Sequence, residues 1–276
     1  MGDQERYDRL LSDFNVRLLT SRLLAAGPGW NGLSLRSSFW RLYVNNRSGA
    51  GVRVNGKAHP LTPGKVHLVP AWVACQTWLT RKVDHFYMHF DFVGLPAPLV
   101  QDLFPEPRAL PLDAGGRMLV EDWTADLRPP ERRELPAACR ALALLHWTVA
   151  RLMAGLSPDA QRRVSHYYAG SAAVLPALEH IERNLAGPLE NPELAARCHL
   201  SVDHFIRLFR RFTGQSPAQY VIDARVKRAA QELFFSEDSI ETVAARTGFR
   251  DRFYFTRVFA RRMGLAPAAY RRANRV

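Results

Sequence analysis

Cysteine is scarce in this 276-residue chain. Cys75, Cys139 and Cys198 are odd in number and far apart, with no Cys-x-x-Cys. That pattern offers neither a disulfide framework nor a zinc site built on thiolates, and it points to a reducing, cytoplasmic protein. No stretch approaches the 18 or more apolar residues of a membrane span, so no membrane partner is expected. The start, MGDQERYDRLLSD, is acidic where a secretory signal needs a basic end and an apolar run. Nor do the histidines of the first half, His59, His67, His85 and His89, form an i,i+2 pair. His85 and His89 would stand about 13 Å apart along a strand, too far to share one ion. No metal, cofactor or catalytic residue is therefore expected, and the chain does not read as an enzyme.

Positive charge, by contrast, is plentiful. The formal net charge is +12 and the pI near 10.2, a balance that favours a polyanionic partner. The excess is not segregated. Residues 1–170 carry 21 Lys+Arg and 15 Asp+Glu, and residues 171–276 carry 17 and 11. Basicity alone does not locate a nucleic-acid-binding half.

Internal repetition does. RLFRRFTGQSPAQY (Arg207–Tyr220) aligns with RVFARRMGLAPAAY (Arg257–Tyr270) at an offset of 50 residues, matching Arg207 to Arg257, Phe209 to Phe259, Gly214 to Gly264, Pro217 to Pro267 and Tyr220 to Tyr270. Upstream the match continues with a one-residue slip, Leu194–Cys198 against Ala244–Gly248. Two copies are too few for a solenoid, so this is a duplicated module. In the first copy Asn191-Pro192-Glu193 reads as a helix start, Ser201 as a second cap, and Phe205, Leu208, Phe209 and Phe212 as a buried stripe ended by Gly214. In the second, Ser239 caps with Thr242 three residues on. Gly248 makes the turn, Asp251 caps again, and Phe255, Val258, Phe259 and Met263 form the stripe. A helix, a tight turn and a second helix with arginines on its open face is a helix-turn-helix. Arg207, Arg210 and Arg211, and in the second copy Arg250, Arg252, Arg257, Arg261 and Arg262, fall on or beside the open face. Guanidinium groups there suit phosphate oxygens and the O6/N7 edge of guanine.

The segment resembles the DNA-binding domain of the AraC/XylS family of bacterial transcription regulators. The residues that carry the resemblance include Leu194-Ala195, Arg207-x-Phe209, Gly214-x-Ser216-Pro217-x-x-Tyr220, Arg225, Ala229, Ile240-x-x-Val243-Ala244, Gly248-Phe249, Phe255-x-Arg257-Val258-Phe259 and Gly264-x-x-Pro267-x-x-Tyr270-Arg271. It implies two helix-turn-helix units joined by a central helix over about 218–235, entering successive major grooves of double-stranded DNA roughly 10 base pairs apart. Carried over by position, the first recognition helix would present Ser201, Val202, Asp203, Ile206, Arg207 and Arg210. The second, with its flanks, would present Arg250, Arg252, Phe253, Thr256, Arg257 and Arg261. Asp203 and Ile206 depart from the family's usual donors and aromatics: the first helix would read thymine methyls or a cytosine amino group, or mainly position the domain. His199 replaces the usual turn glycine, and a left-handed histidine there would be strained.

Residues 33–93 read as β structure. Expected strands are 38–45, 50–55, 57–61, 65–69, 74–80 and 82–92, with hairpin turns at Asn55-Gly56 and Pro63-Gly64. Short strands punctuated in this way suggest a small barrel or jelly roll. In the last strand His85, Tyr87, His89 and Asp91 point one way, and Phe86, Met88, Phe90 and Phe92 the other. The first set offers rings for sugar faces and polar groups for hydroxyls, and Arg36, Trp40 and Tyr43 could join it as a ligand site. The alternative is a solvated outer face or a contact with a partner helix. The run Asn46–Trp72 is similar to the cupin-like sensor domains of sugar-responsive members of the same family, and this second resemblance implies ligand contacts at His85 and Tyr87.

A proline-rich passage, 95–111, and Gly115-Gly116 follow. Helical periodicity begins at Arg117 and strengthens over 135–156, where Leu142, Leu145, Val149, Leu152 and Met153 form a stripe. In this family a helix in that place often pairs with its copy in a homodimer. The expected fold is α+β and multidomain: a cupin-like β-barrel or jelly roll (1–112), a helical linker and dimerisation segment (113–170), and an all-α double helix-turn-helix (171–276). The expected function is a transcription regulator controlled by a sugar or other small polar effector, meeting RNA polymerase if it activates. Two alternatives stay open. One is a cupin-type metal enzyme fused to a DNA-binding module. The other is a regulator controlled by a protein partner, with a filled barrel.

Overall fold

The structure, a computed structural model, describes residues 14–274 apart from 94, 96, 129–133 and 172. The acidic start discussed above lies outside the described residues. Two compact units emerge: Val16–Val93 with Phe104–Gln161, and Gly94–Leu103 with Arg162–Arg275. All six tryptophans belong to the first, the sheet unit.

Among the described residues, nine strands of the sheet unit form two sheets. One has the order β1 (Asn15–Ala26), β8 (Val83–Val93), β3 (Trp40–Asn45), β6 (Lys65–Val69), β9 (Arg108–Pro111). The other runs β2 (Ser34–Leu35), β7 (Cys75–Leu79), β4 (Ala50–Val54), β5 (Lys57–Pro60). Asn55 and Gly56 both have positive φ, 49° and 80°, as a tight two-residue hairpin between β4 and β5 requires. Tyr43 and Val69 from the first sheet share one apolar core with Val52, Val54 and Cys75 from the second. The sheets therefore face each other across that core. Six of the nine strands fall within two residues of the sequence-based expectation.

The other three strands were not expected. β1 is rich in leucine and alanine, which favour helices, so its strand state reflects its place beside β8 rather than its own propensity. β2 is only two residues long. β9 lies in the proline-rich passage and ends on Pro111, at the edge of its sheet, where a missing N–H costs no ladder bond. That passage also holds a short helix, α1 (Ala97–Leu103), with Pro98 in its first turn, where a missing N–H is harmless.

The outer side of the first sheet is covered by helices. α2 (Ala114–Leu127) starts two residues before Gly116, so the glycine pair lies inside the helix, and Asp113 caps it by accepting from Gly116 N–H at 2.8 Å. Trp123 packs edge-on against Phe86 and donates its indole N–H to Ser21 Oγ at 2.7 Å. In α3 (Leu135–Ala154) the buried residues are Ala141, Leu144, Leu145, Thr148, Val149 and Leu152, while Leu142 remains exposed. A bidentate Arg140–Asp126 pair at 2.6 and 2.7 Å ties α3 to α2.

The second unit is helical: α4 (Pro158–Ser171), which begins in the sheet unit, then α5 (Leu175–Arg183), α6 (Asn191–Arg197), α7 (Val202–Thr213), α8 (Pro217–Phe235), α9 (Ile240–Arg246), α10 (Arg252–Met263) and α11 (Pro267–Asn274). Among the described residues, no helix is long and apolar enough to cross a membrane.

Candidate nucleic-acid interface

The duplication seen in the sequence is carried into three dimensions. α7 and α10 are each 12 residues long and begin 50 residues apart. Phe205 meets Phe209 at 5.3 Å, and Phe209 meets Tyr220 edge-on at 5.4 Å. Fifty residues on, Phe255 meets Phe259 at 5.4 Å and Phe259 meets Tyr270 at 5.3 Å. Both helices end on a left-handed glycine, Gly214 at φ 74° and Gly264 at φ 77°, as an αL cap requires. α8, the central helix, opens on a capping box between Ser216 and Gln219.

The copies differ in their turns. Four residues, 198–201, join α6 to α7, while five, 247–251, join α9 to α10. This locates the one-residue slip, and Arg250 lies in the longer turn. His199 does adopt the strained left-handed conformation (φ 54°), and Gly248 occupies the same place in the second turn (φ 86°). Capping differs too. Asp251 accepts from both Phe253 N–H and Tyr254 N–H, at 2.8 and 3.0 Å, whereas Ser201 stands at its N-cap without a side-chain bond. Ser239 caps α9 by accepting from Thr242 N–H, but α6 starts after Glu190, so Asn191 is helical and not the cap.

Burial divides the recognition helices cleanly. Phe205, Phe209, Phe255, Phe259 and Met263 are inside. Ser201, Val202, Asp203, Arg207, Arg210, Arg250, Arg252, Phe253, Arg257 and Arg261 are exposed, with Ile206 and Thr256 half-buried beside them. The arginines form two populations. Several are tied down: Arg262 to Asp223 at 2.8 Å, Arg246 to Glu232 and Asp238, and Arg197 to Glu193. Arg225 donates to the carbonyls of Leu185 and Gly187. Burial pushes the Asp223 carboxyl above its usual range, with Arg262 opposing the shift. Among the described residues, Arg207, Arg210, Arg250, Arg252, Arg257 and Arg261 make no ion pair. Their guanidinium groups are exposed. A cleft of about 910 Å³ lies among the 186–190 segment, α8 and the second helix-turn-helix, bordered by Arg225, Arg250, Tyr254 and Arg257.

A family model described as a helix-turn-helix domain matches residues 194–273. The multiple antibiotic resistance protein MarA of Escherichia coli is 34% identical over 97 residues, 35% of this chain and 76% of MarA. This chain belongs to the AraC/XylS family. The MmsAB operon regulatory protein of Pseudomonas aeruginosa is a further AraC/XylS-type match, 36% identical over 96 residues. That alignment covers 35% of this chain and only 31% of the Pseudomonas protein. Fold likeness extends further than sequence likeness: ToxT of Vibrio cholerae, solved with an unsaturated fatty acid bound, aligns over 94% of both chains with a TM-score of 0.51 at 10% identity. That likeness is one of fold and spans nearly the whole chain.

In the sheet unit the β3–β8 register brings Arg41 opposite His89, Tyr43 opposite Tyr87, and Asn45 opposite His85. His67 lies beside Tyr43 on β6. Of the expected ligand residues, Tyr43, His85, Tyr87 and His89 therefore share a face. Trp40 does not join them. It pairs with Phe90 on the opposite side and packs against Phe92 and Phe104. Trp40 and Tyr43 are an odd number of residues apart, so strand alternation itself separates them. Arg36 is half-buried in the connection between β2 and β3. The face is not solvated: Arg41, Tyr43, His85 and His89 are each at most 4% exposed, and Tyr87 alone is half-buried. His85 Nδ1 lies 2.8 Å from Asn45 Oδ1, and burial holds the imidazole down to a pKa of about 3. Burial, with Arg41 adding to it, keeps His89 well below its ordinary value, and burial raises the Tyr43 phenol. Arg41, Asn45 and His67 were absent from the expected set: alternation along β3 places Arg41 and Asn45 on the face of Tyr43, and only His67 needs the pairing of β3 with β6 to join them. Among the described residues, no three His, Cys, Asp or Glu side chains come together as a metal site.

Proposed function

We propose that this chain is a sequence-specific DNA-binding transcription regulator whose two recognition helices, α7 and α10, enter successive major grooves. The single observation that carries the reading is the division among the arginines. Those on the outer faces of α7 and α10 lack acidic partners, while Arg197, Arg246 and Arg262 are paired with acids inside the unit. Unpaired guanidinium groups on the exposed faces of two such helices suit phosphodiesters and guanine edges. Fluorescence anisotropy of the full chain with a random-sequence duplex tests it. Binding should weaken steeply with salt, by about 0.9 in log K per log salt for each phosphate neutralised. An absence of salt-dependent binding would sink the reading.

The sheet unit would act as the sensor. Its buried face of imidazole, phenol, amide and guanidinium groups suits a small polar effector such as a sugar, and Tyr87 is its most accessible member. A ligand acts only through a difference in affinity between two states, and this packed face would have to open to admit one. At about 100 times its dissociation constant, a sugar bound there should add roughly 2.7 kcal/mol to the unit's stability. Tyr87→Ala should abolish that gain in scanning calorimetry and leave DNA affinity unchanged. A gain that survives the substitution would move the site elsewhere. The packing of the face also favours a second reading, a filled core with control by a protein partner, under which no sugar shifts the melt. Homodimerisation through α2 and α3 is proposed from the exposure of Met118, Leu135 and Leu142 and would be read in sedimentation velocity.

A further inference from the structure

The 50-residue offset that matches the two copies also matches their exposed residues, and at one position the partners are chemically opposed. Asp203 in α7 stands where Phe253 stands in α10. Each is the second residue of its helix and each is exposed, Phe253 by 77%. The turn beneath Phe253 is fixed by the two bonds from Asp251. Four residues on, Arg207 and Arg257 occupy the same helical face as Asp203 and Phe253. At this pair of positions each recognition helix therefore presents one guanidinium, common to both, and one residue that differs.

Residues at the N-terminal end of a recognition helix are those that reach base edges. In the major groove thymine is marked by its C5-methyl and cytosine by its N4 amino donor. A phenyl ring can cover the methyl but offers no hydrogen bond. A carboxylate accepts from the amino group and is repelled by phosphates and by the acceptor edges of guanine and thymine. We infer that the two helices read different pyrimidines through this one position, cytosine by Asp203 and thymine by Phe253. The inference rests on the DNA-binding reading above. It means that a duplicated fold reads two unlike half-sites.

The test begins with selection of duplexes from a random pool by the full chain. Each thymine of the enriched site is then replaced in turn by deoxyuridine, which removes only the methyl group. One position should weaken binding about fourfold, the worth of one buried methyl, and that penalty should vanish for Phe253→Ala. Because Phe253 is exposed, the variant should melt with the parent. Repeating the selection with Asp203→Asn should replace one cytosine by adenine, the base whose N6/N7 edge an amide matches. Tolerance of deoxyuridine everywhere, or a penalty that persists in Phe253→Ala, overturns the thymine assignment. A cytosine retained by Asp203→Asn overturns the other. Failure to enrich any sequence overturns the DNA-binding reading itself, and this inference with it.

Discussion

Arg257 and Arg262 lie five residues apart on one helix, yet they should fail differently when truncated. Arg257 is exposed and unpaired, so Arg257→Ala should cost roughly 1–3 kcal/mol of binding and relax base preference if it reads guanine. Equal losses on all sequences in a competition assay would make it a phosphate contact. Arg262→Ala should instead lower stability, because Asp223 would be left half-buried without its cation. A second contrast concerns the turns. A Cβ on Gly248 would stand 2.2 Å from the Leu185 carbonyl oxygen at a φ of 86°. Gly248→Ala should therefore cost roughly 3 kcal/mol in urea unfolding. His199→Ala at the matching position should be nearly neutral, since histidine already bears a Cβ there in the same left-handed region.

At the scale of elements, the caps distinguish the copies. Asp251→Ala should destabilise the second unit by about 1 kcal/mol, because two helix N–H groups lose their acceptor. Ser201→Ala should cost less, having no side-chain bond to lose. Equal effects in denaturant titrations would contradict the observed capping. The double helix-turn-helix was legible because local signals agreed: caps, turn residues and apolar stripes recur at one offset. Strands β3 to β8 were legible from alternation and turn chemistry. β1, α1 and β9 were not, since β1 takes its state from a sheet neighbour far along the chain, and prolines masked the other two. The inner face of the sheet was half legible. Alternation placed His85, Tyr87 and His89 together on β8 and Arg41, Tyr43 and Asn45 together on β3, but only the pairing of distant strands joins the two sets and adds His67.

For the whole molecule, acid should act mainly through the sheet unit. His67, His85 and His89 are all held below their ordinary value by burial, so below about pH 6.5 the unfolded chain binds protons that the folded chain refuses. Their contribution is complete above that pH and is lost as the pH falls toward the folded values. For His85 alone, with a folded pKa of about 3, the loss between pH 6.5 and pH 5 is of order 2 kcal/mol. Calorimetry of the intact chain should show the sheet unit's melt falling over this range, with a shallower slope for His85→Gln. An unchanged slope would mean that the imidazole is protonated in the fold.

The placement of the tryptophans has an optical consequence. With all six in the sheet unit, selective excitation of indole sees only that half of an otherwise intact chain. An effector settling among Tyr43, His85 and Tyr87 would perturb nearby Trp30, whose ring lies 4.9 Å from that of His85. Neither α7 nor α10 carries an indole. Indole emission would thus report on the sheet unit, and never on α7 or α10 themselves, recorded without a label.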